Sequence, residues 1–226
     1  MTDLSRARRG AEGDEATSRT RDELIDAGER LYALRGIEGA NLLAIAREAG
    51  QANKSAVQYH FGDRNGLIDA ILARRVAWLE TRRAERLAAL PESADARALL
   101  EAMMAPLAEL TDARGRRTYA RFLLQFMIQF EPWPGVRHPL RRPHAETALD
   151  HIRARLQALA PHLSRDVLFL RLDWCMRTFL GLLVDHDNAL DRGGEPERLG
   201  MLADEALDIS AAVLAAPART PRVSPS

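Results

Sequence analysis

Apolar residues recur at helical spacing along nearly all of this 226-residue chain, and strand alternation is almost nowhere visible. A helix that packs on a core needs apolar side chains at i, i+3, i+4 and i+7, whereas a strand needs every second one. The chain is therefore expected to be all-α. One stripe runs Leu24, Ile25, Ala27, Gly28, Leu31 and Tyr32, a second Leu42, Leu43, Ile45, Ala46 and Ala49, and a longer one from Leu67 to Leu79. Further stripes are Leu99 to Leu110, Tyr119 to Phe130 and Ala148 to Leu159. From Val167 to Val184 apolar residues occupy nearly every side, as in a helix covered by its own domain and by a second chain. A final stripe carries Leu199, Leu202, Ala206, Ile209 and Val213.

Capping residues place the boundaries. Thr20 followed by Glu23 reads as a capping box opening the first helix, and Gly36 as its stop. Asn41 is a good N-cap for a short helix ended by Gly50; Asn53 can cap another that runs to about Phe61, where Gly62 ends it and Asp63 caps the next. The segments 1–18 and 216–226 lack periodicity and are expected to be disordered tails. The parts between divide into residues 19–66, three helices, and 67–215, a larger helical body.

The short segment QANKSAVQYHFGDRNG, residues 51–66, is polar between two apolar patterns and holds Lys54, the single lysine among 32 basic residues. At about 100° per residue, Val57 and Phe61 share one face of its helix, while Ser55 and Tyr59 point the other way with Ala56 and Gln58 beside them. Two short helices joined by a glycine-containing turn and braced by a third are the parts of a helix-turn-helix. In that motif the second short helix enters the major groove of DNA, about 12 Å wide.

Composition narrows the function. A single cysteine, Cys175, inside the densest apolar run, excludes a disulfide framework and reads as inert packing. Residues 1–19 lack the apolar block of a secretory signal, and no run is long enough to span a membrane, so a cytoplasmic protein is expected. The formal net charge is zero, so any basic surface must be local. No phosphate-binding glycine loop or nucleophile elbow is present, and no enzyme activity, catalytic residue or cofactor is expected. His138, His144 and His151 lack ligand spacing, and Asp185, His186, Asp187 and Asp191 lack the glycine and terminal glutamate of a calcium loop; no metal is expected.

From Thr20 to Leu72, through AIAREAG (44–50), SAVQYHF (55–61) and GDRNGL (62–67), the chain resembles the DNA-binding domain of the TetR family of transcriptional repressors. Two departures are that Gly50-Gln51-Ala52-Asn53 is one residue longer than the usual Gly-Val-Ser turn, and that Gln58 stands where many members have tyrosine. The resemblance implies that Lys54, Tyr59 and His60 contact phosphates or groove edges, that Arg64 takes the place of a phosphate-binding lysine, and that Asn41 meets a phosphate across the groove. Base reading would fall to Ser55, Ala56 and Gln58. The rest of the chain looks like the family's ligand-binding and dimerisation domain. It implies a homodimer through the last two helices and a pocket for an apolar or aromatic effector near Met103, Met104, Phe122, Phe126, Met127, Phe130, Trp133 and Trp174. The same side chains at helical spacing also suit a plain core. The function implied is a repressor of a palindromic operator, bound as double-stranded DNA by a twofold dimer and released by ligand. The alternative from composition alone is an all-helical ligand-binding or scaffold protein without DNA function.

Overall fold

A computed structural model describes residues 3–130, 147–195 and 198–218. Among these residues every regular element is helical: α1 (Asp3–Arg35), α2 (Leu42–Glu48), α3 (Ser55–Phe61), α4 (Arg64–Ala89), α5 (Ala96–Glu109), α6 (Thr118–Phe130), α7 (Ala148–Leu159), α8 (Arg165–Leu190) and α9 (Arg198–Ala215). The chain forms two compact units, Met1–Val76 and Ala77–Ser226.

In the first unit α1, α2, α3 and the first half of α4 bury Leu24, Ile25, Tyr32, Ile37, Ile45, Val57, Leu67, Ile68 and Ile71 together. Gly28 lets α4 come close: a Cβ there would lie 3.0 Å from Leu67 Cδ2 and 3.3 Å from Ile71 Cδ1. Buried Glu29 accepts a two-pronged bond from Arg75, Nε to Oε2 and Nη2 to Oε1 both at 2.9 Å, and Arg74 pairs with Asp26. These contacts explain why the unit reaches Val76, where sequence reading drew the boundary after Gly66. The start of α1 also differs. The segment expected to be a tail is helical from Asp3, and Thr20 lies within the helix instead of capping it. Arg, Ala and Glu are strong helix formers, and a helix anchored by Leu24 and Ile25 extends backward one bond at a time without a new nucleation step. Lack of apolar periodicity says only that Glu15 to Arg19 are exposed, which they are.

The second unit is built on α5, α6 and α8. Pro106 inside α5 removes one helix hydrogen bond, and buried Arg83 donates Nε to the Met103 carbonyl one turn earlier (3.1 Å) while its Nη1 meets Glu80 (2.9 Å). At the entry to α6, Asp112 accepts from the amides of Arg114 and Arg116 and from Thr118 Oγ1. Beside it, Arg117 reaches Asp187 of α8, its amide to Oδ2 at 2.6 Å and Nη1 to Oδ1 at 2.5 Å, with both residues buried. Arg171 of α8 caps the end of α9, donating to the Val213 carbonyl in its last turn (2.8 Å) and to the Pro217 carbonyl just past it (3.0 Å). Arg97 ties α9 to α5 through Asp204 (2.7 Å) and Asp208 (2.6 Å).

Several stripe residues face otherwise than their periodicity suggested, among them Leu43 of α2 and Trp78 of α4, both exposed. In α9 the buried side is Ala206, Leu207, Ser210 and Leu214, so of the expected stripe only Ala206 is inside, while Ile209 is 55 % exposed and Leu199, Leu202 and Val213 half-buried. Leu159, expected to be buried in α7, is also exposed. Both sides of α9 carry apolar residues, and periodicity cannot say which one meets the chain's own body. The C-terminal tail from 219 lies outside the described residues.

Candidate DNA-binding surface

The surface is built from α2, α3 and the corner that follows. Asn41 caps α2, its side-chain oxygen accepting from the Ala44 amide at 2.8 Å as expected. At the other end the amides of Gly50 and Gln51 reach back to the carbonyls of Arg47 (3.0 Å) and Ala46 (2.8 Å), a Schellman closure. Asn53 accepts from the Ser55 amide at 2.9 Å, so it steadies the start of α3 from one residue ahead of the N-cap, which is Lys54.

The corner after α3 explains the GDRNG motif. Gly62 has φ 78° and ψ −62°, with the Asp63 amide donating to the Phe61 carbonyl at 3.0 Å: a γ-turn of the hand that strains every residue with a side chain. Asp63 then accepts from the Gly66 amide at 2.9 Å and caps α4. A Cβ at Gly66 would sit 1.9 Å from the Phe61 carbonyl oxygen, so the two helices approach this closely only with glycine there.

Held in this way, α3 buries Val57 and leaves Lys54, Ser55, Gln58 and Tyr59 exposed, Tyr59 by 79 %. Ala56, His60 and Phe61 are half-buried at its flank. Tyr59 and His60 meet edge to face, ring centroids 5.0 Å apart. His60 is held below the usual histidine pKa, first by burial and then by the charge of Arg21. The candidates Lys54, Ser55, Ala56, Gln58, Tyr59 and His60 are thus brought together by one short helix. Arg64 is placed differently: its Nη1 donates to Glu38 at 2.8 Å, so its charge is already paired, a long-range contact that sequence could not supply. The oxygen of Asn41 is likewise occupied, by the Ala44 amide.

Sequence reading passed over Arg21. Its guanidinium lies 5.3 Å from the centre of the Phe61 ring, an approach between α1 and α3 with no local signal in the chain.

In the second unit Met103, Met104, Phe122, Phe126 and Met127 are buried in the core, with the Phe122 and Phe126 rings 6.3 Å apart. Trp174 is instead 53 % exposed. Trp133 and the side chain of Phe130 lie outside the described residues. A cleft of about 820 Å³ opens elsewhere, beside Thr178, Gly181, Leu182 and His186 of α8 and Leu202 of α9. Cys175 is buried against Ser210, and burial pushes its thiol pKa up. Among the described residues no three His, Cys, Asp or Glu side chains converge as a metal site, and no helix is long and apolar enough to cross a membrane.

A helix-turn-helix head with an exposed polar and aromatic recognition helix, joined to an all-helical body, defines a helix-turn-helix DNA-binding transcriptional regulator. Residues 24–71 match the model of bacterial regulatory proteins of the tetR family, and residues 101–213 match the tetracyclin repressor-like C-terminal domain. The chain belongs to the tetR family of bacterial regulators. Among solved structures it is similar to a tetR-family transcription regulator of Shewanella sp. PV-4, with 20 % identity, TM-score 0.53, and coverage of 88 % of this chain and 99 % of that one. A transcriptional regulator of Rhodococcus sp. RHA1 matches at 24 % identity and TM-score 0.45, over 86 % of this chain and 95 % of the other. No curated protein matches.

Proposed function

We propose that the chain is a homodimeric, ligand-released repressor that acts in the cytoplasm on a palindromic operator through the outward face of α3. The observation that carries this reading is the arrangement of that helix: Val57 is buried while Lys54, Ser55, Gln58 and Tyr59 stand out together, with no carboxylate paired to Lys54 among the described residues. Lys54, Tyr59 and His60 take phosphates and groove edges, with the Asn41 amide across the groove; Ser55, Ala56 and Gln58 face bases, Ala56 against a thymine methyl and Gln58 toward adenine. Arg64 contributes to phosphate binding only by exchanging Glu38 for it.

One such helix reads only a few base pairs, so two copies on a twofold axis are needed, reading half-sites about 34 Å apart or a multiple of that. Exposed Trp174 on α8 and exposed Met201 and Ile209 on α9 supply apolar surface for that pairing. The effector is apolar or aromatic and is taken up among Met103, Met104, Phe122, Phe126 and Met127. These side chains are all buried, so binding there opens the core, for which flexible methionines are suited. A coupling of about 1–3 kcal/mol between effector and operator would weaken DNA binding by roughly 5–150-fold.

The reading is tested by titrating the chain against the DNA flanking its own gene in a mobility-shift assay. Binding that falls steeply with salt, and is lost in Lys54→Ala/Tyr59→Ala with thermal unfolding unchanged, is the expected outcome. Binding that ignores salt, or survives that double substitution, sinks the reading.

A further inference from the structure

The charge balance of the first unit is uneven in a way that the net charge of zero conceals. Arg19, Arg30, Arg64, Arg74 and Arg75 each have a carboxylate within reach. Arg21, like Arg35 and Arg47, is exposed and has no carboxylate partner among the described residues; of these three, Arg21 has an aromatic contact on α3. It lies against α3 instead, its guanidinium 5.3 Å from the Phe61 ring centre. Phe61 is in turn 6.0 Å from His60, and His60 5.0 Å from Tyr59, ring centre to ring centre. The cation therefore stands at the C-terminal end of the recognition helix, against the aromatic residues there.

Two features hold it in place. Leu24 and Ile25, three and four residues on, are fully buried, so this face of α1 is fixed on the core and Arg21 sits at its edge. A guanidinium stacked on an aromatic face loses little further freedom when it binds, and the negative end of the α3 dipole favours a cation there. That His60 feels the charge of Arg21 is consistent with this closeness.

We infer that Arg21 is a DNA-backbone contact: a phosphate ligand presented by α1 beside the end of the recognition helix. The geometry follows from size. A helix with its side chains is about 10–12 Å across and fills a major groove about 12 Å wide. Arg21 lies against the Phe61 ring at the C-terminal end of that helix and off its outward face, a place that would meet the sugar-phosphate rim and not a base edge. Arg21 would thereby do what Arg64, bound to Glu38, is not placed to do. The inference rests on the α3 reading above.

The test uses the full chain and a duplex obtained by in vitro selection, comparing wild type with Arg21→Gln and Arg21→Lys. Arg21→Gln is expected to weaken binding roughly tenfold, by the same factor on the selected duplex and on single-base variants of it. The slope of log affinity against log salt should fall by about 0.9 for each phosphate lost, hence by about 2 for a dimer. Arg21→Lys should restore most of both, with melting temperatures equal across the three proteins. Wild-type affinity and slope in Arg21→Gln overturn the inference while leaving the α3 reading intact. So does a loss confined to particular base pairs, which marks base contact, or a lowered melting temperature with no rescue by lysine, which marks packing on Phe61. Failure of wild type to bind any duplex overturns both.

Discussion

Replacing Asp187 by Asn should reveal how far the body of the protein depends on one buried ion pair. Arg117 and Asp187 are 9 % and 3 % exposed, and the carboxylate accepts from both the amide and the guanidinium of Arg117. Asparagine keeps one oxygen but removes the charge, leaving a buried guanidinium whose other bond is to the Ala108 carbonyl at 3.0 Å. Breaking a buried pair from one side costs about 3–5 kcal/mol, and the retained acceptor places Asp187→Asn toward the lower end. For a chain of this size that corresponds to a fall of roughly 6–15 °C in melting temperature. Urea unfolding followed by circular dichroism, with the midpoint and slope fitted separately, measures it. Removing both charges in Arg117→Met/Asp187→Leu should recover most of the loss, less about 1 kcal/mol because the Arg117 amide then lacks its acceptor. If Asp187→Asn is within about 1 kcal/mol of wild type, or the double variant is no better than the single, the pair does not hold α8 to the start of α6 as argued.

Two further outcomes concern the recognition helix. Gly62→Ala meets no steric obstacle, since nothing lies within 4 Å of the added carbon, yet must adopt φ 78°. It should destabilise the first unit by about 1–3 kcal/mol in a denaturant titration, and no loss would mean that the γ-turn imposes no strain. His60, whose neighbours are Tyr59, Phe61 and Arg21, is held below its ordinary value, first by burial and then by Arg21. The stability linked to it is complete above about pH 6.5 and is lost as pH falls through the lower folded value. A phosphate beside the ring favours the protonated form, so operator affinity measured by anisotropy should rise as pH falls from about 7.5 to about 5.5, and His60→Gln should flatten that profile. An unchanged profile in His60→Gln would remove the ring from the interface.

The sequence by itself determined the helical class, the head and the means of turning each corner. Asn41, Gly50, Gly62 and Asp63 act locally, through hydrogen bonds and backbone dihedrals within a few residues, so their roles were legible without a fold. The outward set Lys54, Ser55, Gln58 and Tyr59 was legible for the same reason, because position on a helix fixes which residues share a side. Tertiary structure alone decided the rest. Pairing of Arg64 with Glu38, seating of Arg21 on Phe61, and the choice of Leu207 and Leu214 over Ile209 as the buried side of α9 join residues far apart in the chain or weigh two apolar faces against each other. Periodicity states that a face is apolar; what covers it, and which charge meets which, depends on distances that exist only after folding.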